Sequence, residues 1–321
     1  MQKNLELQTN LSTNILPGAG LRVGIVGVPL SSGSDLAGVD LGPAALRVAG
    51  LNKRIAGLGY EVRDLGDIRV PTSNDANEST RNAKHLPLIA EACETLAAEV
   101  KNILRENELP IVLGGDHSIA AGSISGAASF YREREQSIGL IWVDAHADMN
   151  TPETTNTGNV HGMPLAALLG FGAKELTHIA GFAPKLDPKF CAHVGARDLD
   201  PPERELIRRL GIRFFTMREI DERGISQCID EAIAIASKAS AGYCVTWDVD
   251  ALDPGDAPGS GTVVRGGLTY REAHLALEKI AEAGGMRLLE MVEINTALDY
   301  NNRTAQLGVE LILSALGKTI L

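Results

Sequence analysis

From Ile138 the chain runs apolar through Leu140, Ile141, Trp142 and Val143 and passes without a break into Asp144-Ala145-His146-Ala147-Asp148-Met149-Asn150. The apolar part reads as a buried strand. Side chains along a strand alternate faces with period two, so Asp144, His146 and Asp148 all point the same way as the strand opens into a loop. Three metal-ligand side chains on one face make half of a cation site. One strand cannot complete the coordination shell, and the rest of the chain must bring partners to this point.

Seven further stretches read as strands: Leu21 to Leu30, Glu61 to Gly66, Leu109 to Leu113, Cys191 to Gly195, Ile212 to Met217, Tyr243 to Trp247 and Leu288 to Val292. Between them the spacing predicts helices over Pro43 to Ala56, Thr80 to Glu106, from Ile119, over Leu165 to Leu169, Ile225 to Ser237, up to Ala283 and from Thr304 to Leu316. The stripe Leu86, Ile89, Leu96, Val100 and Leu104 has the period of a core-facing helix and carries no chemistry. Eight such units predict an α/β protein, and a closed barrel and an open doubly wound sheet satisfy the pattern equally. Residues 1–20 are polar, lack periodicity and predict a loose arm. No linker or composition break separates His117 from Glu293, so residues 21–321 are expected to be a single catalytic domain.

A formal charge of -11 argues against a nucleic-acid footprint, which would need a basic stripe. No run approaches the ~20 apolar residues that span a bilayer, and no secretory signal opens the chain, so the expected partners include neither nucleic acid nor membrane. The expected compartment is the cytoplasm. Cys93, Cys191, Cys228 and Cys244 lie far apart without CxxC spacing and predict buried free thiols in a reducing compartment.

Polar residues recur at the carboxyl ends of the predicted strands, where α/β proteins put their sites. Gly114-Gly115-Asp116-His117-Ser118 closes the third strand, Asp248-Val249-Asp250 the seventh, and Glu293 and Asn295 the eighth. His117, Asp144, His146, Asp148, Asp248 and Asp250 supply four carboxylates and two imidazoles with no thiolate. Such a set is too rich for one ordinary zinc site and suits two hard divalent ions, such as Mn²⁺, sharing bridging carboxylates. One Asp at a strand end is readily explained as a helix cap. Two Asp-x-[His/Asp] repeats together are not. A bridged ion pair lowers the pKa of a shared water, so hydrolysis is the expected chemistry.

Four strings, Gly-Gly-Asp-His-Ser (114 to 118), Asp-Ala-His-Ala-Asp-Met-Asn (144 to 150), Gly-Asn-Val-His-Gly-Met-Pro (158 to 164) and Asp-Val-Asp-Ala-Leu-Asp-Pro (248 to 254), resemble the ureohydrolase family, and within it the arginases. The segments 38 to 43 and 267 to 272 are similar to arginase segments as well. The resemblance implies a three-layer α/β/α fold with an eight-stranded, mostly parallel sheet. It also implies two Mn²⁺ ions and hydrolysis of L-arginine to L-ornithine and urea through a hydroxide bridging them. By motif position His117, Asp144, Asp148 and Asp248 would hold one ion, and His146, Asp144, Asp248 and Asp250 the other, with Asp144 and Asp248 bridging. His161 matches the family's catalytic histidine, able to move a proton near neutral pH. Glu293 matches the residue that orients the guanidinium. Asn150, Thr157 and Asn159 match positions that contact the substrate α-carboxylate. Asp200 and Glu203 match those facing the α-amino group, directly or through water. His85, His178, His193 and His274 gain no such support and read as surface or packing residues. Relatives are commonly trimers or hexamers, so a homo-oligomer is expected.

The sequence departs from the family pattern in three places. Thr157 stands where Ser is common, and Val263 and Thr296 where Pro is usual; changes in loop rigidity rather than loss of activity are expected there. Another ureohydrolase, an agmatinase or guanidino-acid hydrolase, would share the metal motifs but not the carboxylate-binding loop. A non-catalytic arginine-binding homologue would keep the fold without releasing urea.

Overall fold

Buried side chains alternate between the two faces of the central strands and sort the molecule into layers. The structure is a computed structural model and describes residues 20–71 and 82–319. Strands β1 (Arg22–Val28), β2 (Glu61–Asp67), β3 (Leu109–Gly114), β4 (Gly139–Val143), β5 (Cys191–Ala196), β6 (Arg213–Thr216), β7 (Tyr243–Asp248) and β8 (Met286–Val292) form one sheet. Its order is β2-β1-β3-β8-β7-β4-β5-β6. Every pairing is parallel, so the sheet is open and wholly rather than mostly parallel.

The helices are α1 (Gly42–Val48), α2 (Leu51–Ala56), α3 (Leu86–Arg105), α4 (Ala120–Arg132), α5 (Pro164–Leu168), α6 (Lys174–Thr177), α7 (Pro201–Leu210), α8 (Met217–Arg223), α9 (Ile225–Ala236), α10 (Tyr270–Ala283) and α11 (Arg303–Ala315). Ile111, Leu113, Ile141, Val143, Val245 and Trp247 turn toward the layer of α1, α2 and α8 to α11. Their strand neighbours Val112, Leu140, Trp142 and Cys244 turn toward the layer of α3 to α7. Both faces are therefore covered, as a parallel sheet requires, and the three-layer α/β/α arrangement expected from the resemblance is the one observed.

Two helix boundaries differ from the sequence expectation. The helix expected over Pro43 to Ala56 is two, broken at Gly50, whose φ of 86° lies in the left-handed region. The helix expected from Thr80 starts at Leu86. His85 has a φ of 54° and Pro87 occupies the first turn, where its missing N–H costs nothing. Residues 80 and 81, and all of the expected arm except Gly20, lie outside the described residues. The four cysteines are buried and free. Among the described residues no helix is long and apolar enough to cross a membrane.

Helix α4 brings the loop after β3 into position by lying close against α3. A Cβ on Gly122 would stand 2.6 Å from the carbonyl oxygen of Cys93, and one on Gly126 2.5 Å from that of Ala97. These obstacles are backbone, so the helices would have to separate. Gly122→Ala is expected to lower stability by about 1–3 kcal/mol, the usual cost of overpacking. Urea unfolding followed by tryptophan fluorescence measures it, and an unchanged midpoint would count against this account.

Candidate metal centre

Strands β3, β8, β7 and β4 are the central four of the sheet, and the carboxyl end of each delivers part of one acidic cluster. Val143 pairs with Trp247, which sets Asp144 beside Asp248 at the next step along both strands. His117 arrives from the turn after β3, where Asp116 caps a single 3₁₀ turn by accepting from the Ser118 N–H. His117 Nδ1 lies 3.1 Å from Asp144 Oδ2, 3.1 Å from Asp148 Oδ2 and 3.4 Å from Asp248 Oδ2. His146 Nδ1 lies 3.0 Å from Asp250 Oδ2 and 3.5 Å from Asp144 Oδ1. All six residues nominated as metal ligands are thus drawn together in two subsets that share Asp144.

The tautomer of His117 follows from its neighbours. Thr246 Oγ1 donates to Glu290 Oε1 at 2.8 Å, so the same oxygen accepts from His117 Nε2–H at 2.9 Å. That leaves Nδ1 as a buried nitrogen without a hydrogen-bond partner among the described residues, facing three carboxylates. A lone pair aimed at carboxylate oxygens is repelled unless a cation or proton stands between them. The residues therefore fit a metal ion held through Nδ1. Trp142 stacks on the His117 ring and donates from Nε1 to Asp144 Oδ2 at 2.9 Å.

Protonation follows the crowding of charge. Burial would depress His117, but Asp144, Asp148 and Asp248 hold it well above the ordinary histidine value. Burial and then Asp144 push Asp148 up to about 6. Burial, Asp250 and Asp144 raise Asp248 well above the carboxylate range. Asp144 goes the other way, since His117 and His146 outweigh its burial.

Beside the cluster lies a cavity of about 180 Å³ lined by His146, Asp148, Asn150, Thr157, His161, Gly162, Asp198, Asp200, Glu203, Asp248 and Thr262. Asn150 Nδ2 donates to Asp200 Oδ2 at 2.9 Å. Glu203 accepts from the Met149 and Asp200 N–H groups at 2.9 and 2.8 Å, so both of its oxygens serve the backbone. Asn159 is not among the lining residues. Its Oδ1 accepts from Lys84 Nζ at 3.0 Å, and Lys84 also pairs with Asp35 at 2.7 Å. Glu293 Oε1 accepts from the His117 N–H at 2.8 Å and lies 3.0 Å from His161 Nδ1. Asp148 and Glu293 adopt φ of 52° and 63°, an uncommon conformation for residues with a Cβ and one that gathers at functional sites. Thr296 donates its N–H to the Gly38 oxygen at 3.4 Å, a bond the family's usual proline cannot make.

Several neighbours were invisible to motif reading. His193, read as a packing residue, donates from Nε2 to the His146 carbonyl at 2.6 Å and stacks on Phe214. Glu290 is a carboxylate in the middle of an apolar strand, and that oddity was the available signal. Asp198, Thr262 and Arg197 carried none beyond their place after a strand or in a loop.

The sequence matches the Arginase family over residues 21–317. It is 47% identical to the arginase of Brevibacillus brevis over 297 residues, 92% of this chain and 98% of that one. Identity to the arginase of Bacillus caldovelox is 45% over 300 residues, 93% and 99% of the two chains. The solved structure of the Bacillus caldovelox enzyme matches with a TM-score of 0.89 at 44% identity, covering 94% of this chain and 100% of the other.

In the metal-free protein, burial lowers His161 while the nearby Glu293 carboxylate lifts it, to about 9 in balance. Removing that charge leaves burial opposed only by the more modest pull of Asp148 and Asp116, so in Glu293→Gln the His161 pKa is expected to fall clearly below about 9. Imidazole NMR resonances of the metal-free protein followed through a pH titration report it directly. A value that stays near 9 would sink the assignment of the shift to Glu293.

Proposed function

Because the chain belongs to the arginase family, and is therefore a metal-dependent amidinohydrolase, we propose that its reaction is the hydrolysis of L-arginine to L-ornithine and urea with two Mn²⁺ ions. The observation that carries this reading is the buried, unpartnered Nδ1 of His117 directed at Asp144, Asp148 and Asp248. His117, Asp144, Asp148 and Asp248 would hold one ion. His146, Asp144, Asp248 and Asp250 would hold the second, with Asp144 and Asp248 shared. Bound there, two divalent ions supply a shared water of lowered pKa as nucleophile.

The chain's own residues do the rest. Five carboxylates line the cavity, a setting that draws in a cationic guanidinium and α-amino group. Glu293, held by the His117 N–H, offers a charge-assisted hydrogen bond to the guanidinium. His161 sits against Glu293 with a proton to give, and in this reading it protonates the departing amine. At the outer end, Asp200 takes the α-amino side, with Asn150 and Thr157 on the α-carboxylate. Asn159 joins them only by turning from Lys84, and Glu203 acts chiefly by fixing the Met149 and Asp200 backbone. Buried free thiols suit the cytoplasm, and the family resemblance supports a homo-oligomer, a trimer or hexamer.

The test is urea release by the Mn²⁺-loaded protein from arginine, agmatine and a guanidino acid. Arginine is expected to give the highest kcat/KM, and chelation of the metal is expected to abolish turnover until Mn²⁺ is restored. Faster release from agmatine would move the substrate assignment to another ureohydrolase. Two bound ions with no urea from any of the three would mark a binding protein that has kept the fold.

A further inference from the structure

Arg197 follows directly after β5, the strand beside β4, and its hydrogen bonds reach both loops that supply the ligands peculiar to the second ion. Its main-chain N–H donates to the Ala145 oxygen at 2.8 Å, between Asp144 and His146. The guanidinium donates from Nη2 to the Asp250, Val264 and Leu252 oxygens at 2.6, 2.7 and 3.1 Å. Nη1 donates to Ala251 and Gly195 oxygens at 3.2 and 3.4 Å, and Nε to Val264 at 3.2 Å. Among the described residues every one of these bonds goes to a main-chain carbonyl.

We propose that Arg197 is the positioning residue of the second cation subsite, stapling the loop after β4 to the loop after β7 so that His146 and Asp250 meet. This inference rests on the two-ion reading above. His146 Nδ1 and Asp250 Oδ2 are 3.0 Å apart although they belong to different loops. Asp250 is steadied further by the Ala145 N–H at 3.2 Å and the Thr262 hydroxyl at 3.0 Å, and both of those groups sit in segments that Arg197 holds. His117 and Asp148, which belong to the first ion alone, make no hydrogen bond to Arg197. A planar fork of five donors matches five converging carbonyls. A lysine ammonium has three donors and no plane, so it keeps the charge but cannot span the set.

The test is Mn²⁺ titration of the full metal-free chain, wild type against Arg197→Lys and Arg197→Met, by calorimetry and by electron paramagnetic resonance. Wild type is expected to take up two ions that couple magnetically. Each variant is expected to bind one ion within about twofold of the wild-type affinity and the second roughly 10- to 100-fold more weakly, the usual cost of losing an outer-shell partner. The resonance spectrum then shows a lone ion where the wild type shows a coupled pair. Wild-type affinities for both ions in a folded variant would overturn the proposal, as would equal weakening of both. Failure of both variants to fold without metal would overturn it as well, because the guanidinium would then support the sheet rather than one subsite. Fewer than two ions on the wild type would defeat the two-ion reading itself, a result distinct from any difference between variants.

Discussion

Like charge confined at the end of a sheet governs the rest of this molecule. Two carboxylates about 4 Å apart repel by about 4 kcal/mol at an effective dielectric near 20, and four of them crowd here. A folded domain holds only about 5–15 kcal/mol in total, so the cluster cannot be closed over without countercharge. The protein shows elsewhere how it neutralises a buried acid with its own side chains. Glu108, at the opposite end of the sheet, is held by Arg22 at 2.8 Å and Arg63 at 2.6 Å. Around Asp144, Asp148, Asp248 and Asp250 the nearest cationic partners among the described residues are the two histidines. Such an arrangement is poised for ions from outside, with protons taking their place in the metal-free protein.

Holding those groups in register falls to an outer ring that does no chemistry of its own. Glu290 and Thr246 fix the tautomer of His117, Trp142 braces its ring and a carboxylate, and His193 grips the carbonyl of His146. All four of these side chains project from the strands themselves, which are covered by helices on both faces. The cavity-lining residues around 150–162 sit on a loop instead, whose Asn159 is tied to Lys84 at 3.0 Å.

The strands, and the acidic and imidazole groups that gather just past their ends, were legible because an apolar run ending in Asp-x-His or Asp-x-Asp announces itself, although Asp148 and Asp250 sit on turns beyond the strands rather than on the strands. Choosing an open sheet over a barrel was not possible from periodicity and came through the family resemblance. Helix breaks at Gly50 and His85 were missed, since each depends on a single backbone angle that composition does not encode. The positive φ of Asp148 and Glu293 was likewise beyond reach. Arg197 and His193 escaped notice because their partners are carbonyls, which every residue carries and no motif spells. Glu203 matched a family position, yet its engagement with two backbone N–H groups appears only when the loops are in place.

The strand order carries a consequence for biogenesis. The two strands latest in the sequence, β7 and β8, lie between β3 and β4, so a chain emerging from the ribosome presents two halves of a sheet with unpaired edges facing a gap. Exposed edges of that kind invite wrong pairing until they are filled. The central seam, and with it the convergence of His117, Asp144 and Asp248, forms only once Val292 has been made, which leaves the nascent polypeptide dependent on its own last quarter for closure.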